Sequence, residues 1–337
     1  MKSLPWSVIF LILGCFALVV VLLQIIGVAP GEAVQAMVRG SLGTARGWSG
    51  TLREMTPLLF AGLAVYVGLR AGLFNIGAEG QFVVGACASA VVAIHVPGVL
   101  GWILSGIAGL IAGALWAFPA GWIKAYRGGH EVVSTIMLNF MALQLTSYLV
   151  LGPIRDPSKD DATTPDVLSP MRPLLETQFD GSSFRLHAAW LIGILLILGF
   201  GWWLKKTVQG YELNATGANP KAAQMAGVPV PKVTLLAMCA SGAFAGLGGA
   251  FHVLAYEQRF YNDFSPGYGY NALGVALLAG GSPWALIPAA LIFGILGQSA
   301  SSLQIMEVPK GMTSILLGLL IIGFAVFRYR NREVNRG

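Results

Sequence analysis

Three short stretches carry polar side chains that an otherwise oily chain has no local reason to keep. The first is Phe74-Asn75-Ile76-Gly77-Ala78-Glu79-Gly80-Gln81, where two glycines, amides and a carboxylate interrupt nearly continuous apolar sequence. The second is the set Glu131, Thr135 and Asn139, spaced four apart and so on one helix face, with Ser134 and Gln144 nearby. The third is Pro266-Gly267-Tyr268-Gly269-Tyr270-Asn271. A charged side chain at membrane depth costs roughly 2.5–3.5 kcal/mol on insertion scales, and ionisable and other polar groups there face protein or water. Irregular backbone at that depth is tolerated only where it is buried or lines a cavity. Asn75, Glu79, Gln81, Thr135, Asn139, Tyr270 and Asn271 are therefore candidates for lining a substrate pathway.

Each stretch also has a plainer reading. The first is a tight cytoplasmic turn, with Glu79 favoured at the N-terminus of the helix it opens. The second is hydrogen bonding between helices. The third is an ordinary turn with interfacial aromatics. The residues alone leave both readings open.

Catalytic sets are missing. The chain contains no G-x-x-x-x-G-K-[ST], so it does not bind ATP by a P-loop. His95, His130, His187 and His252 are scattered and make no metal-ligand spacing. No Ser-His-Asp or Cys-His group can be nominated, which leaves an enzyme reading without residues. Cys15, Cys87 and Cys239 all lie in apolar runs and read as packing.

The elements that must position these residues are membrane helices. Hydrophobic residues make up 55% of the chain and charged residues 11%, where a soluble domain carries about 25% charged. The fold expected is an all-α polytopic membrane protein formed as a single transmembrane domain over 1–337. About ten spans lie near 8–28, 55–70, 79–97, 99–123, 131–151, 188–205, 233–256, 268–281, 284–303 and 311–328. The run at 8–28 is too long for a signal peptide and no small-x-small site follows, so it reads as a retained span. An N-in, C-in arrangement puts Arg70, Lys124, Arg127, Lys205, Lys206, Lys221 and Lys232 inside, as the positive-inside rule asks. The net charge of +6 does not imply nucleic acid, because the basic residues sit at segment ends.

The external loop at 152–187 carries Pro153, Pro157, Pro165, Pro170 and Pro173 among Asp, Ser and Thr, and reads as turns rather than folded structure. The Gly-rich, amphipathic stretch 31–53 is expected to lie in the interface. Gly101, Ser105, Gly109, Gly113, Ala117 and Gly121 fall four apart, and Gly242, Gly246 and Ala250 repeat the device. Such small residues let helix backbones approach closely, either as static packing or as sliding surfaces.

The stretch 207–232 is different, because it encodes a short capped helix on the cytoplasmic side. Asn219 is an N-cap, Pro220 suits the first helical position and Gly227 closes the helix at C′. Ala222 and Ala223 offer a low-profile surface that another protein could approach. A simple connecting loop would also explain it.

Four segments in order then resemble a known family. They are 73–81 (Leu-Phe-Asn-Ile-Gly-Ala-Glu-Gly-Gln), 131–139 (Glu-Val-Val-Ser-Thr-Ile-Met-Leu-Asn), the 210–227 cassette, and 267–278 (Gly-Tyr-Gly-Tyr-Asn-Ala-Leu-Gly-Val-Ala-Leu-Leu). The chain resembles the permease subunits of ABC importers for branched-chain amino acids, ribose-type sugars and nucleosides, and is most similar to the nucleoside and simple-sugar branch. His130 and Asn271 depart from it, where an asparagine and an aspartate are expected. The resemblance implies an importer subunit of a prokaryotic plasma membrane, translocating nucleosides or related small sugars. It implies that Gly217, Asn219, Pro220, Ala222, Ala223 and Gly227 dock onto a cytoplasmic ATPase. It further implies a second permease subunit, identical or related, and an external substrate-binding lipoprotein. No cofactor is expected in this chain, since ATP and magnesium would sit on the ATPase. The competing class is a secondary transporter or channel working alone, with Glu79 as its proton or ion site.

Overall fold

The computed structural model describes residues 27–305 except Asp180, with a few isolated positions on either side. The expected spans at 8–28 and 311–328, and Cys15, lie outside the described residues. Helices dominate. In chain order they are α1 (Pro30–Ser41), α2 (Ala45–Arg70), α3 (Ala78–Ala93), α4 (Gly98–Arg127), α5 (Glu131–Leu151), α6 (Ala188–Lys206), α7 (Val208–Ala218), α8 (Pro220–Met225), α9 (Val230–His252), α10 (Tyr268–Ala279) and α11 (Leu286–Ile305). A π-helical turn, Val253–Glu257, extends α9. Two strands, β1 (Pro173–Phe179) and β2 (Ser182–His187), pair as a hairpin.

Among the described residues, six helical segments are long and apolar enough to cross a bilayer: α2, α4, α5, α6, α9 with its π-turn, and Pro283–Gln304. The spans expected near 79–97 and 268–281 form the shorter helices α3 and α10. The span expected at 55–70 starts at Ala45. Its first turns carry Arg46, Arg53 and Glu54, whose charge hides a helix from a hydropathy window but does not stop one forming.

The chain divides into two compact units. In the larger (Thr56–Leu174 with Leu186–Ala290), the small-residue spacing becomes a three-helix contact. Gly101, Ser105, Gly109, Gly113, Ala117 and Gly121 are all buried on one face of α4. A Cβ on Gly242 would overlap the Gly113 carbonyl, and one on Gly246 would overlap that of Gly109. At the same junction, a Cβ on Gly85 of α3 would strike the Gly246 backbone. Backbone therefore meets backbone, which maximises dispersion contact where burial from lipid gives no driving force. The opposite faces of α4 and α5 expose Ile103, Ile107, Leu115, Met137 and Phe140.

The loop expected to be mere turns is more ordered than that. Thr164 N–H donates to the Phe260 carbonyl, Val167 N–H to Gln258 and Met171 N–H to Leu254, each at 2.8 Å, and Asn262 N–H donates back to Ala162. The prolines forbid helix there, and the extended chain they leave finds carbonyl partners after α9.

In the smaller unit (Met1–Met55, Leu175–Arg185, Leu291–Gly337), α11 lies against the start of α2: a Cβ on Gly294 would press on the Thr51 carbonyl. Gln298 and Ser299 donate to the carbonyls of Gly40 and Met37 in α1. Arg185 pairs with Glu176 across the hairpin at 2.8 Å.

Candidate functional site

The first two polar stretches converge. Asn75 donates to Gln81 Oε1 and to Ser241 Oγ, both at 2.8 Å, and Gln81 donates back to Asn75 Oδ1. The Ser241 hydroxyl in turn donates to the Ala64 carbonyl of α2. One amide pair thus ties the turn before α3 to α9 and α2. Beside it, Asn139 Oδ1 accepts from Gly80 N–H and its amide donates to the Ile76 carbonyl, both at 2.9 Å. Gly80 is small because a Cβ would collide with Asn139 Oδ1 and Ala142 of α5. Thr135 turns its hydroxyl back to the Glu131 carbonyl of its own helix. Asn75, Gln81, Thr135 and Asn139 are all buried, and their hydrogen-bonding capacity is largely spent inside the protein. Glu131, at the head of α5, pairs with Lys124 at the end of α4 at 2.8 Å.

Glu79 holds the third stretch in place. It lies in the first turn of α3, but its carboxylate reaches the start of α10, where it accepts from Gly269 N–H at 2.6 Å. The Ser265 hydroxyl and the Gly267 and Tyr270 N–H groups surround the same carboxylate. The N-cap position of α10 is Gly267 at φ 98°, which has no side chain to cap with. Glu79 supplies that cap from another helix, with a charge matched to the positive helix end. Tyr270 and Asn271 sit differently. Tyr270 is 45% exposed, its hydroxyl only 3.4 Å from the Asn139 amide, and Asn271 is half-buried.

The cassette is two helices set end to end. Thr207 caps α7 by accepting from Gly210 N–H, and Asn219 Oδ1 accepts from Ala222 N–H to cap α8 behind Pro220. At the far end Gly227 adopts φ +84°, with its N–H on the Gln224 carbonyl and that of Val228 on Ala223, a complete Schellman closure. Gly217 touches the end of α2 so closely that a Cβ would overlap the Arg70 carbonyl. Arg70 Nε also donates to Asn214 Oδ1 at 2.8 Å. The two alanines do not form one surface. Ala223 is buried at 4%, because a helix this short has one inner line and Ala223 occupies it. The outer line is Ala222, Gln224 and Met225, the last 89% exposed.

A feature the polar motifs did not announce lies at the end of α5 away from Glu131. A cavity of about 240 Å³ opens between α5 and the segment after the π-turn, lined among others by Gln144, Ser147, Asn262 and Asp263. Only Gln144 drew notice in the sequence.

Helices packed through glycine, a polar knot joining several of them and a capped surface helix are the parts of a membrane transport subunit. The model of the family described as branched-chain amino acid transport system / permease component matches residues 48–325, and the chain belongs to that family. It is a multi-pass membrane protein and a permease component. It is 34% identical over 330 residues to a guanosine ABC transporter permease of Bacillus subtilis, covering 97% of this chain and 94% of the relative. It is 34% identical to a glucose ABC transporter permease of Haloferax volcanii (92% and 84% covered). It is 30% identical to a nucleoside ABC transporter permease of Lactococcus lactis (92% and 88% covered). No solved structure matches the chain.

Proposed function

We propose that this chain carries nucleosides or related small sugars inward as the permease of an ATP-driven importer. It works as one transmembrane permease domain of about ten spans, with both termini cytoplasmic, in a prokaryotic plasma membrane. Its partners are a cytoplasmic ABC ATPase, which alone holds ATP and magnesium, a second permease subunit and an external substrate-binding lipoprotein. Relatives named for guanosine, nucleosides and glucose support the substrate class.

The observation that carries this reading is the two-sided build of the cassette. Its outer line, Ala222, Gln224 and Met225, faces away from the protein, while Gly217 and Asn214 are fixed to the end of α2. A push on α8 therefore reaches α2. From there it reaches α3, α5 and α9 through Ser241, Asn75 and Asn139. The buried residues Asn75, Glu79, Gln81, Thr135 and Asn139 serve the pathway by holding its walls, and Tyr270 and Asn271 are the members that meet the passing solute. Coupling uses Gly217, Asn219, Pro220 and Gly227 to shape the element and Ala222 to touch the ATPase, with Ala223 setting its inner packing.

Co-purification and transport test this. The ATPase should be retained with the wild type and lost when Ala222 and Met225 are replaced by glutamate. Proteoliposomes should take up solute only with ATP. Uptake driven by an ion gradient without any ATPase would overturn the proposal in favour of a stand-alone transporter.

A further inference from the structure

Polar side chains that serve a passing solute must have hydrogen-bonding capacity to offer, and the buried knot has spent its own. The cavity at the other end of α5 has not. Gln144, Ser147, Asn262 and Asp263 make no side-chain hydrogen bond or ion pair among the described residues, and all four line the cavity. Gln144, Asn262 and Asp263 are exposed and Ser147 is half-buried, so the opening admits a small molecule. The facing wall is aromatic: Phe260 and Phe264 stack with ring centroids 4.9 Å apart and planes 27° from parallel. Both rings are buried and so fixed in place.

The backbone here is held in an uncommon shape. Asp263 sits at φ 57° and Gln258 at φ 59°, the two non-glycine residues with positive φ among those described. Gln258 terminates the π-turn Val253–Glu257. π-turns and left-handed non-glycine residues gather at functional sites, where surrounding structure maintains them. In this case the pairing of 162–171 with 254–262 maintains them.

We infer that this cavity is a subsite for one uncharged sugar ring. This rests on the proposed transport of nucleosides or small sugars and names the part of the solute that this protein reads. At about 240 Å³ the space falls below the 300–1,000 Å³ of pockets for drug-sized ligands. It therefore takes a ring and not a whole nucleoside. The hydroxyl edge of a sugar needs both donors and acceptors. The two amides supply both, Ser147 supplies both, and the Asp263 carboxylate accepts from neighbouring hydroxyls. The buried rings of Phe260 and Phe264 form a rigid floor that sets how deeply the sugar ring can enter. No lysine or arginine lines the cavity, so a phosphorylated sugar or a carboxylate would meet Asp263 with nothing to neutralise it.

Saturation-transfer NMR on the purified full-length chain, with guanosine, guanine, glucose and guanosine monophosphate as probes, tests this. Saturation should reach the ribose protons of guanosine and the ring protons of glucose, with none on guanine or the monophosphate. Replacing both amides, Gln144→Ala with Asn262→Ala, removes at least two hydrogen bonds and should weaken the signal's apparent affinity about thirty-fold. The inference is overturned if guanine gives the same transfer as guanosine, or if the double variant binds like the wild type while keeping the wild-type unfolding midpoint. Asp263→Asn keeps the shape and the hydrogen bonding, and should let the monophosphate bind. A wild-type transporter that binds the ring but shows no ATP-dependent uptake would refute the transport proposal and leave the subsite standing.

Discussion

Replacing Glu79 separates an ion-coupled site from a structural cap. Its carboxylate accepts from Gly269 N–H at 2.6 Å, within a ring that includes Ser265, Gly267 and Tyr270, and no cation pairs with it among the described residues. Glu79→Gln keeps one acceptor oxygen and loses the charge. The interaction of a charge with a helix end is about 0.3–1 kcal/mol, rising to about 2 where partly buried. A hydrogen bond to a charged acceptor exceeds a neutral one by about 1 kcal/mol. The expected cost of Glu79→Gln is therefore about 1–3 kcal/mol. Glu79→Ala removes the acceptor entirely and leaves buried N–H groups unpaired at about 1–3 kcal/mol each, so its cost is larger. The assay is thermal unfolding of the purified transporter, together with ATP-driven uptake per folded molecule at acidic and alkaline pH. Stability should fall in the order wild type, Gln, Ala, and uptake by the Gln variant should persist with an unchanged pH profile. A Gln variant as stable as the wild type but unable to transport would refute the capping argument and point to proton or ion coupling at this carboxylate.

Gly246→Leu forces α4 away from α9 at the Gly109 carbonyl and should cost at least the roughly 1–3 kcal/mol of an overpacked core, read by unfolding in detergent; a neutral result would contradict the backbone contact. Gly217→Val collides with the Arg70 carbonyl and should reduce ATP-driven uptake while the ATPase stays bound, measured by uptake against pull-down. Asp156 accepts from the Ser158 hydroxyl at 2.6 Å and its N–H at 2.9 Å, which holds the carboxyl below its ordinary 3.8. A lowered value gives stability that is complete above the unfolded value and lost as pH falls through the folded one, so the 156–163 turn should lose hydrogen-exchange protection only below about pH 4, and Ser158→Ala should move that loss upward.

Local signals were the legible ones. The caps at Asn219 and Gly227 involve neighbours in sequence, and both residues do what their types suggest. The spacing of glycines by four gave the buried faces of α4 and α9, because helix geometry converts spacing into a face. Long-range pairing was not legible. The ordered 156–171 strap and the hairpin depend on partners that hydropathy does not mark. Glu79 shows the limit well. Its place near a helix start was readable, but the helix end it caps belongs to α10, nearly two hundred positions away. The inward turn of Ala223 escaped because six residues are too few to display a period.

The glycine contact also imposes a schedule on biogenesis. A ribosome adding about 5–20 residues per second needs on the order of ten seconds to travel from Arg127, the end of α4, to the end of α9. During that interval the part of α4's glycine face that α9 will cover, at Gly113 and Gly109, lacks its final partner. Small residues let helix backbones approach closely, so that uncovered part is open to any other helix with a small-residue surface. The hazard of that wait is a premature seam with the wrong helix, and the early arrival of α3, which carries Gly85 to the same junction, shortens the list of wrong partners.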